Sequence, residues 1–312
     1  MAYKMPSQKY SGKINEVTFG DNLKLGGESV LPFYSFDGNM GNKPAIGMEI
    51  WDIYPDSWPE SVLKIFKDVA DDPVKWARFC LENFNPDFIC LKFEGASPDG
   101  LDRTPEECAD IAKKVADSVN VPLVIAGSQS SEKNAKVFTK VAEALTNKNF
   151  VFLSAVEANY KEVAAAVALA YGNIVAAESS VDLNLAKQLN ILISQLGIQS
   201  DRVVMNPGCS AVGYGFEYVV TTMDRIRLAA LQQNDTTLQM PMISPVSFET
   251  WKVKEAIATE EDVPEWGSQE DRGVGMEIST AVGVLAAGAN AVILRHPRSV
   301  EVIRNFINHL TE

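Results

Sequence analysis

From residue 44 onward, short apolar runs alternate with longer segments that mix apolar and polar residues. The short runs are rich in β-branched side chains and nearly continuous, which is typical of strands buried on both faces of a parallel sheet. Their alternation with longer segments predicts repeated βα units. The predicted strands are Ala45–Ile50, Phe88–Phe93, Leu123–Ala126, Val151–Ala155, Ile174–Ala177, Val203–Met205, Met242–Ser244 and Ala291–Leu294.

The longer segments carry apolar residues at three- and four-residue spacing, which predicts amphipathic helices. One has a clear start, because Thr104 precedes Pro105 and acidic residues follow in the first turn. The predicted helices include Pro105–Val119, Glu132–Leu145, Tyr160–Tyr171, Leu183–Leu196, Glu217–Leu231 and Ser299–Leu310.

Eight βα units favour a closed (β/α)8 TIM barrel over residues 44–312, rather than an open doubly wound sheet. No GxGxxG motif follows the first strand, as a dinucleotide-binding sheet would require. Residues 1–43 have a different pattern. Lys13–Phe19 alternates polar and apolar residues, Asp21 and Asn22 can form a turn, and a second short segment, Lys24–Gly27, follows. This pattern predicts an N-terminal β-hairpin extension that covers the N-terminal end of the barrel.

Residues 252–275 form the longest irregular stretch in this scheme. They follow the seventh barrel strand, so they are expected on the C-terminal face, where TIM barrels carry their functional loops. Their acidic residues, Glu260–Asp262 and Glu270–Asp271, are equally consistent with a basic partner surface and with a solvated charge run.

Composition narrows the function classes. The chain has 312 residues, 46% of them hydrophobic, and a net charge of −13, which argues against binding to nucleic acid or to an anionic membrane. The opening sequence MAYKMPSQKY lacks the apolar core of a secretion signal, so we expect a cytoplasmic protein. The cysteines Cys80, Cys90, Cys108 and Cys209 show no CxxC or iron–sulfur spacing, so we expect free buried thiols.

Strand parity places a charged group inside the barrel. If Ile89, Leu91 and Phe93 face the helix layer, Lys92 and Glu94 face inward, and the same alternation turns Glu49 and Arg295 inward. The first, second and eighth strands are neighbours in a closed barrel, so these four side chains can form an ion network. A Schiff-base aldolase would also use an interior lysine, but charged neighbours favour a structural role for Lys92.

The strand ends carry a second, polar set of residues that would share one rim. Asparagine and serine outnumber groups that titrate near neutral pH, so this rim suits hydrogen bonding to a ligand better than proton transfer. Helix caps and turns would account for about half of them. The set comprises Ser128, Gln129, Glu157, Asn159, Glu178, Ser179, Asn206, Ser244 and His296.

Two further features bear on chemistry. Residues 206–215, NPGCSAVGYG, contain three glycines that allow a backbone to approach a ligand closely or simply form a tight turn before a helix. The two histidines, His296 and His309, cannot form a histidine metal cluster, and HExxH, GxSxG and P-loop motifs are absent. We expect no metal-binding or catalytic residues that would make this chain a self-contained enzyme.

Several strings in this sequence are specific. They are Leu31-Pro32-Phe33, Ile46-Gly47-Met48-Glu49, Lys187–Ile193 (KQLNILI), Gly213-Tyr214-Gly215, Arg225-Ile226-Arg227-Leu228 and Arg295-His296-Pro297. With these strings, the chain resembles the small subunit of the corrinoid iron–sulfur protein, the delta-type subunit of acetyl-CoA decarbonylase/synthase. The resemblance runs from about residue 13 to the C-terminus, in the same order and at similar spacing.

The resemblance implies one half of a heterodimeric methyl carrier in the reductive acetyl-CoA (Wood–Ljungdahl) pathway of anaerobes. The large subunit would hold the [4Fe–4S] cluster, and a cobalamin would lie between the subunits, covered by this barrel's face. A methyltransferase would deliver methyl from methyltetrahydrofolate, and acetyl-CoA synthase would receive it. The chain lacks a DxHxxG string, so it should supply no lower-ligand histidine to cobalt.

The resemblance also suggests which residues approach the corrin. Asn206, Gly208 and the loop Gly213, Tyr214 and Gly215 are placed nearest, with Ser128, Gln129, Glu157, Asn159, Ser244 and His296 around them. An alternative is a methyltetrahydrofolate–corrinoid methyltransferase, which has a similar fold and binds a pterin with Asp and Asn side chains. The rim lacks the expected set of aspartates, because Asp52 and Asp56 lie in a proline-containing loop.

Overall fold

A computed structural model describes residues 6–312 and contains a closed barrel of eight parallel strands. The strands are β1 (Glu16–Phe19), β2 (Leu23–Gly26), β3 (Ala45–Trp51), β4 (Phe88–Lys92), β5 (Leu123–Ala126), β6 (Val151–Ala155), β7 (Ile174–Glu178), β8 (Val203–Asn206), β9 (Met242–Ser244) and β10 (Ala289–Leu294). Strands β3 to β10 pair in chain order, and β10 pairs with β3 to close the barrel. The predicted TIM barrel is therefore confirmed.

The helices form a layer around the barrel. They are α1 (Glu60–Phe66), α2 (Pro73–Phe84), α3 (Pro105–Ser118), α4 (Ser131–Ala144), α5 (Tyr160–Ala164), α6 (Leu183–Gln195), α7 (Phe216–Leu231), α8 (Val246–Thr250), α9 (Lys254–Ile257), α10 (Gln269–Ala286) and α11 (Pro297–Thr311). Helix α3 begins as predicted, because the Thr104 and Glu107 side chains and backbone N–H groups bond reciprocally. None of the helices in the described residues is long and apolar enough to cross a bilayer.

The β-hairpin closes the N-terminal end of the barrel. Val17, Phe19 and Leu25 are buried in one cluster with inward-facing barrel side chains such as Phe88, whose ring centroid lies 5.3 Å from that of Phe19. The hairpin thus fills the lower end of the barrel with apolar side chains. Residues 1–5 of the predicted extension lie outside the described residues.

The prediction of an irregular stretch over residues 252–275 is wrong in part. Helix α9 lies within it, and α10 begins at Gln269, where the Ser268 hydroxyl accepts a bond from the Asp271 N–H at 3.3 Å. Gly273 lies within α10 and allows the helix to pack closely against Trp251. A Cβ there would lie 2.4 Å from the Trp251 ring.

Most acidic side chains that were predicted to face a partner or solvent make ion pairs or hydrogen bonds within the chain. Glu270 pairs with Lys64 at 2.5 Å, and Asp271 pairs with Arg298 at 2.8 Å. Glu260 accepts the N–H of Gln269 at 3.0 Å. A basic partner, if this segment meets one, would therefore find few acids without an intramolecular contact.

The predicted interior charged residues lie at the C-terminal end of the barrel. The Arg295 guanidinium contacts both Glu49 carboxylate oxygens at 3.0–3.1 Å, and Lys92 Nζ lies 2.8 Å from Glu94 Oε2. Burial raises the pKa of Glu49, but the charges of Arg295 and Lys92 outweigh this and hold it below its ordinary value. The Trp51 Nε1–H also donates to Glu49 at 2.6 Å. Strand parity therefore located this network correctly.

The ammonium group of Lys92 also contacts aromatic rings. Its Nζ lies 4.9 Å from the ring centroids of Trp51 and Phe248, and the residue is 8% exposed. Removing the ammonium would leave Glu94 without its ion pair and Glu49 with less compensation in a poorly solvated space.

We predict that Lys92→Met lowers the free energy of unfolding by about 1–3 kcal/mol, because it removes one partner of a mostly buried pair. Urea unfolding followed by circular dichroism measures this. Lys24→Met is the matched control, since the Lys24–Glu16 pair is exposed and worth about 0–1 kcal/mol. Equal stability of wild type and Lys92→Met would contradict a structural role for Lys92.

A buried carboxyl group anchors the loop after β4. Asp52 Oδ1 accepts the Gly95 N–H at 2.8 Å, and Arg103 Nε lies 3.1 Å from Oδ2. Burial raises the pKa of Asp52 to about 6, although the Gly95 bond and the Arg103 charge oppose the rise. The native state therefore holds this proton more tightly than the unfolded chain does, because the ordinary pKa of an aspartate is 3.8.

We predict that the stabilisation from protonated Asp52 is present below about pH 4 and lost as the pH rises through about 6. Asp52→Asn does not titrate, so its stability relative to wild type should increase by up to about 3 kcal/mol across this window. Urea unfolding at several pH values gives the comparison. Asp56→Asn, at an exposed position, should follow wild type; parallel profiles for all three proteins would refute the prediction.

Candidate functional site

A polar cavity of about 420 Å³ opens at the C-terminal ends of strands β4 to β9. Its position matches the face on which TIM barrels carry their functional sites. The wall is built from successive strand ends and the loops that follow them, chiefly Lys92, Ser128, Gln129, Asn134, Ser154, Asn159, Glu178, Val181, Asn206, Gly208, Cys209, Phe248, Glu249 and Lys252.

Asn206, the last residue of β8, joins three neighbouring segments of this wall. Its Nδ2 donates to Ser154 Oγ at 3.1 Å and to Glu178 Oε2 at 3.2 Å. Its Oδ1 accepts the Gly208 N–H at 3.1 Å. Because the side chain is 3% exposed and bonded within the protein, it holds the rim in place rather than offering free donors to a ligand.

Asn134 and Asn159 fix the loops after β5 and β6 in the same way. Asn134 Oδ1 accepts the Ser128 N–H at 2.8 Å, and its Nδ2 donates to Ser128 O at 2.9 Å. Asn159 Oδ1 accepts the Val156 N–H at 2.9 Å, and its Nδ2 donates to Ser131 O at 2.9 Å. Gln129 differs, because it is exposed and its side-chain amide makes no hydrogen bond to the described residues.

The backbone after β7 is strained where it borders the cavity. Ser180 and Val181 have φ values of 44° and 65°, in the left-handed region that a β-branched residue such as Val181 rarely adopts. The Val181 N–H donates to Pro207 O at 2.7 Å, and Gly208 has φ of 91°; a Cβ at Gly208 would lie 3.3 Å from Ser180 Cα. Paired left-handed segments of this kind cluster at ligand-binding sites.

The ionisable groups of the cavity do not form a catalytic pair. Burial raises the pKa of Glu178, and it raises the pKa of the Cys209 thiol to about 12. Lys252 Nζ lies 3.1 Å from Glu249 Oε1, and Lys92 is paired with Glu94. Residues 6–312 contain no group of three or more His, Cys, Asp or Glu side chains placed to hold a metal ion. The cavity therefore presents hydrogen-bonding groups without an activated nucleophile.

Five of the residues predicted to bind a cofactor line this cavity: Ser128, Gln129, Asn159, Asn206 and Gly208. Ser244 is fully buried near Cys209, behind the wall, and Glu157 is exposed beside it. Sequence reasoning did not include Asn134, Ser154, Val181, Phe248, Glu249 and Lys252 in the rim. Asn134 lies in α4, Phe248 and Glu249 lie in α8, and Val181 and Lys252 lie in loops, so none of these five carries a strand-end signal. Ser154 lies in β6, one residue before its end, and strand parity could have identified it.

The loop of Gly213, Tyr214 and Gly215 lies on a neighbouring surface. Tyr214 is 46% exposed and donates its hydroxyl to Glu255 Oε2, and Gly215 with φ of 79° directly precedes α7. Tyr214 and Gly215 line a shallow groove that shares Val181 and Cys209 with the cavity wall. These glycines thus shape the outer rim rather than the cavity.

His296 lies apart from the cavity. It caps α11, where its Nδ1 accepts the Arg298 N–H at 3.1 Å, and its ring stacks on Trp251 with centroids 6.1 Å apart. Burial lowers the pKa of His296 to about 4, although Glu270 opposes this shift. The side chain is 2% exposed, so it serves the packing of α10 and α11.

Solved structures with the same fold include dihydropteroate synthases. The enzyme from Coxiella burnetii, solved in complex with pteroic acid, superposes with a TM-score of 0.56 over 94% of this chain and 98% of its own, at 13% identity. The enzyme from Xanthomonas albilineans gives a TM-score of 0.55 over 86% of this chain and 94% of its own, also at 13% identity. This likeness shows a shared barrel fold only.

Sequence relatives identify the family. The acetyl-CoA decarbonylase/synthase complex subunit delta of Archaeoglobus fulgidus is 34% identical over 97% of this chain and 70% of its own length. The subunit delta of Methanocaldococcus jannaschii is 32% identical over 99% of this chain and 77% of its own. A family model described as CO dehydrogenase/acetyl-CoA synthase delta subunit matches residues 16–306. The resemblance noted in the sequence is thus confirmed, and the chain belongs to the CO dehydrogenase/acetyl-CoA synthase delta subunit family.

Proposed function

We propose that this chain is the small subunit of a heterodimeric corrinoid iron–sulfur methyl carrier, and that its C-terminal barrel face covers a cobalamin at the junction with the large subunit. One observation carries the proposal: a member of the delta family has, at that face, a polar cavity with fixed hydrogen-bonding groups and no activated nucleophile. Such a face suits binding and shielding rather than catalysis by this chain alone.

The residues of the cavity fit the edge of a corrinoid. A volume of about 420 Å³ lies at the lower end of pockets that enclose a drug-sized ligand, so a corrin macrocycle would lie across the opening. Amide and hydroxyl groups are the complements of the amide side chains around a corrin. Gln129 and Ser128 would bind these side chains, and Asn206, Asn134 and Asn159 would hold the loops in position.

When bound, the corrinoid supplies a cobalt centre that accepts and releases a methyl group. This chain would exclude water from that centre, and His296 would not reach it, because its ring is buried against Trp251. The carrier would be cytoplasmic, with a [4Fe–4S] cluster on the large subunit. Its partners would be the large subunit, a methyltetrahydrofolate methyltransferase and acetyl-CoA synthase.

The family match does not favour the alternative, a pterin-binding methyltransferase. The likeness to dihydropteroate synthases rests on fold at 13% identity and transfers no substrate. Asp52, the carboxyl group nearest the end of β3, is fully buried and bonded to Gly95 and Arg103. It is therefore engaged in structure rather than free to bind a pterin.

We predict that the chain, purified under anaerobic conditions from its native cells, is recovered with a larger subunit at equal stoichiometry. That complex should contain all the cobalt and iron, and the chain separated from it should retain neither. Mass spectrometry of the partner and metal analysis before and after separation measure this. A lone chain that turns over methyltetrahydrofolate with free cob(I)alamin would contradict the proposal.

We predict that Gln129→Ala weakens retention of the corrinoid by the reconstituted heterodimer about 2- to 10-fold, the value of one hydrogen bond. Equilibrium dialysis with the corrinoid absorption spectrum as readout measures binding without any turnover. Gln195→Ala is the matched control, because Gln195 is an exposed glutamine at the end of α6. Equal retention by both variants would remove Gln129 from the proposed contact surface.

A further inference from the structure

Glu178 places a carboxyl group on the wall of the polar cavity at the C-terminal face. It is the last residue of β7, and it is half-buried whereas Ile174–Ala177 are buried. Asn206 Nδ2 donates to its Oε2 at 3.2 Å, and Oε1 keeps accessible surface on the cavity side. A carboxylate accepts about four hydrogen bonds, so Glu178 can take a further donor from a molecule in the cavity.

The cations of the cavity wall do not neutralise this carboxylate. Each of the two lysines that line the cavity is paired with another glutamate, Lys92 with Glu94 at 2.8 Å and Lys252 with Glu249 at 3.1 Å. Glu178 makes no ion pair with any residue that the structure describes. It is therefore a hydrogen-bond acceptor whose charge has no partner on the wall.

The surroundings of Glu178 disfavour further negative charge. Burial raises its pKa and the charge of Glu249 adds to the rise, although hydrogen bonds from Ser154 and Asn206 oppose it. A ligand carboxylate beside Glu178 would act as Glu249 does. A neutral N–H group would instead make a charge-assisted bond to the ionised form, which is stronger than a bond between neutral groups.

The proposed corrinoid carries donors of this kind. The side chains around a corrin macrocycle end in carboxamides, whose N–H groups are neutral donors. With the macrocycle across the opening, one of these amide arms is the part that can enter a cavity of about 420 Å³. Ser128 and Gln129 accept and donate, so they bond an amide or a carboxylate, whereas an ionised Glu178 only accepts.

We propose that Glu178 determines specificity for the amidated corrinoid: it accepts an N–H bond from one amide arm and rejects the same arm as a carboxylic acid. This inference rests on the proposed function and adds to it the chemical form of the ligand. The juxtaposition that carries it is an accessible carboxylate without an ion-pair partner, beside a second glutamate, on the cavity wall.

The monocarboxylic acids of cyanocobalamin test this selection, because each has one amide arm hydrolysed and the rest of the molecule unchanged. The heterodimer is freed of its corrinoid and dialysed to equilibrium with each compound at pH 8, well above the ordinary glutamate pKa of 4.5. We expect one of the acids to bind at least about tenfold more weakly than cyanocobalamin, since a bond to a charged acceptor is lost and like charges approach.

Two variants assign the selection to its residue. Glu178→Gln keeps the size of the side chain and removes its charge, so binding of that acid relative to cyanocobalamin should recover about tenfold or more. Glu162→Gln is the matched control, because Glu162 is an exposed glutamate in the first turn of α5, outside the cavity wall. It should leave the ratio unchanged. Glu178→Ala gives the same comparison if Glu178→Gln does not fold.

The outcomes separate this inference from the proposed function. A heterodimer that does not retain cyanocobalamin would reject both. Retention of cyanocobalamin with equal retention of every acid, or a ratio that removal of the Glu178 charge leaves unchanged, would overturn the selection by Glu178 and leave the proposed function standing.

Discussion

The pairing of β10 with β3 is the constraint on which the rest of the structure depends. It joins Ala291–Leu294 to Ala45–Met48, and the Arg295–Glu49 ion pair follows directly on the last paired residues. An unpaired charge in this interior would cost several kcal/mol. A slip of one residue would turn Arg295 towards the helix layer and leave Glu49 alone. The ion pair therefore favours the one register that closes the barrel.

Closure brings together strand ends that are far apart in the chain. The cavity wall draws on residues from Lys92 to Lys252, and some of its hydrogen bonds join different strand ends. Asn206 of β8 bonds to Ser154 of β6 and Glu178 of β7, so three strand ends are tied by one side chain. Such a rim keeps its shape without a ligand, which lowers the entropic cost of binding one.

Much of the fold could be predicted from the sequence, because strand and helix periods differ and each apolar run faces a buried surface. The interior network followed from strand parity, since apolar residues at alternate positions face the helix layer and turn Glu49 and Arg295 inward. The start of α10 could not be predicted. Gly273 resembles a loop residue until the ring of Trp251 is seen to require its missing Cβ.

The candidate site was predictable in position but less so in role. A strand-end asparagine suggests a ligand donor, yet whether its amide is free depends on partners from other strands, as with Asn206 and Ser154. His296 follows β10 as predicted, but the capping geometry of α11 turns its ring into the helix layer. Side-chain direction after a strand end depends on the next element and not on strand parity.

The chemistry of the cavity bears on what a methyl carrier would need from its covering subunit. A thiolate near a transferable methyl group would compete for it as a nucleophile. Cys209 lies in the cavity wall, and burial raises the pKa of its thiol to about 12, so it stays protonated at neutral pH. The amine of Lys92 is likewise engaged by Glu94. Burial and pairing thus leave the groups nearest the opening as hydrogen-bonding partners that do not react, which is the property the proposed shielding role requires.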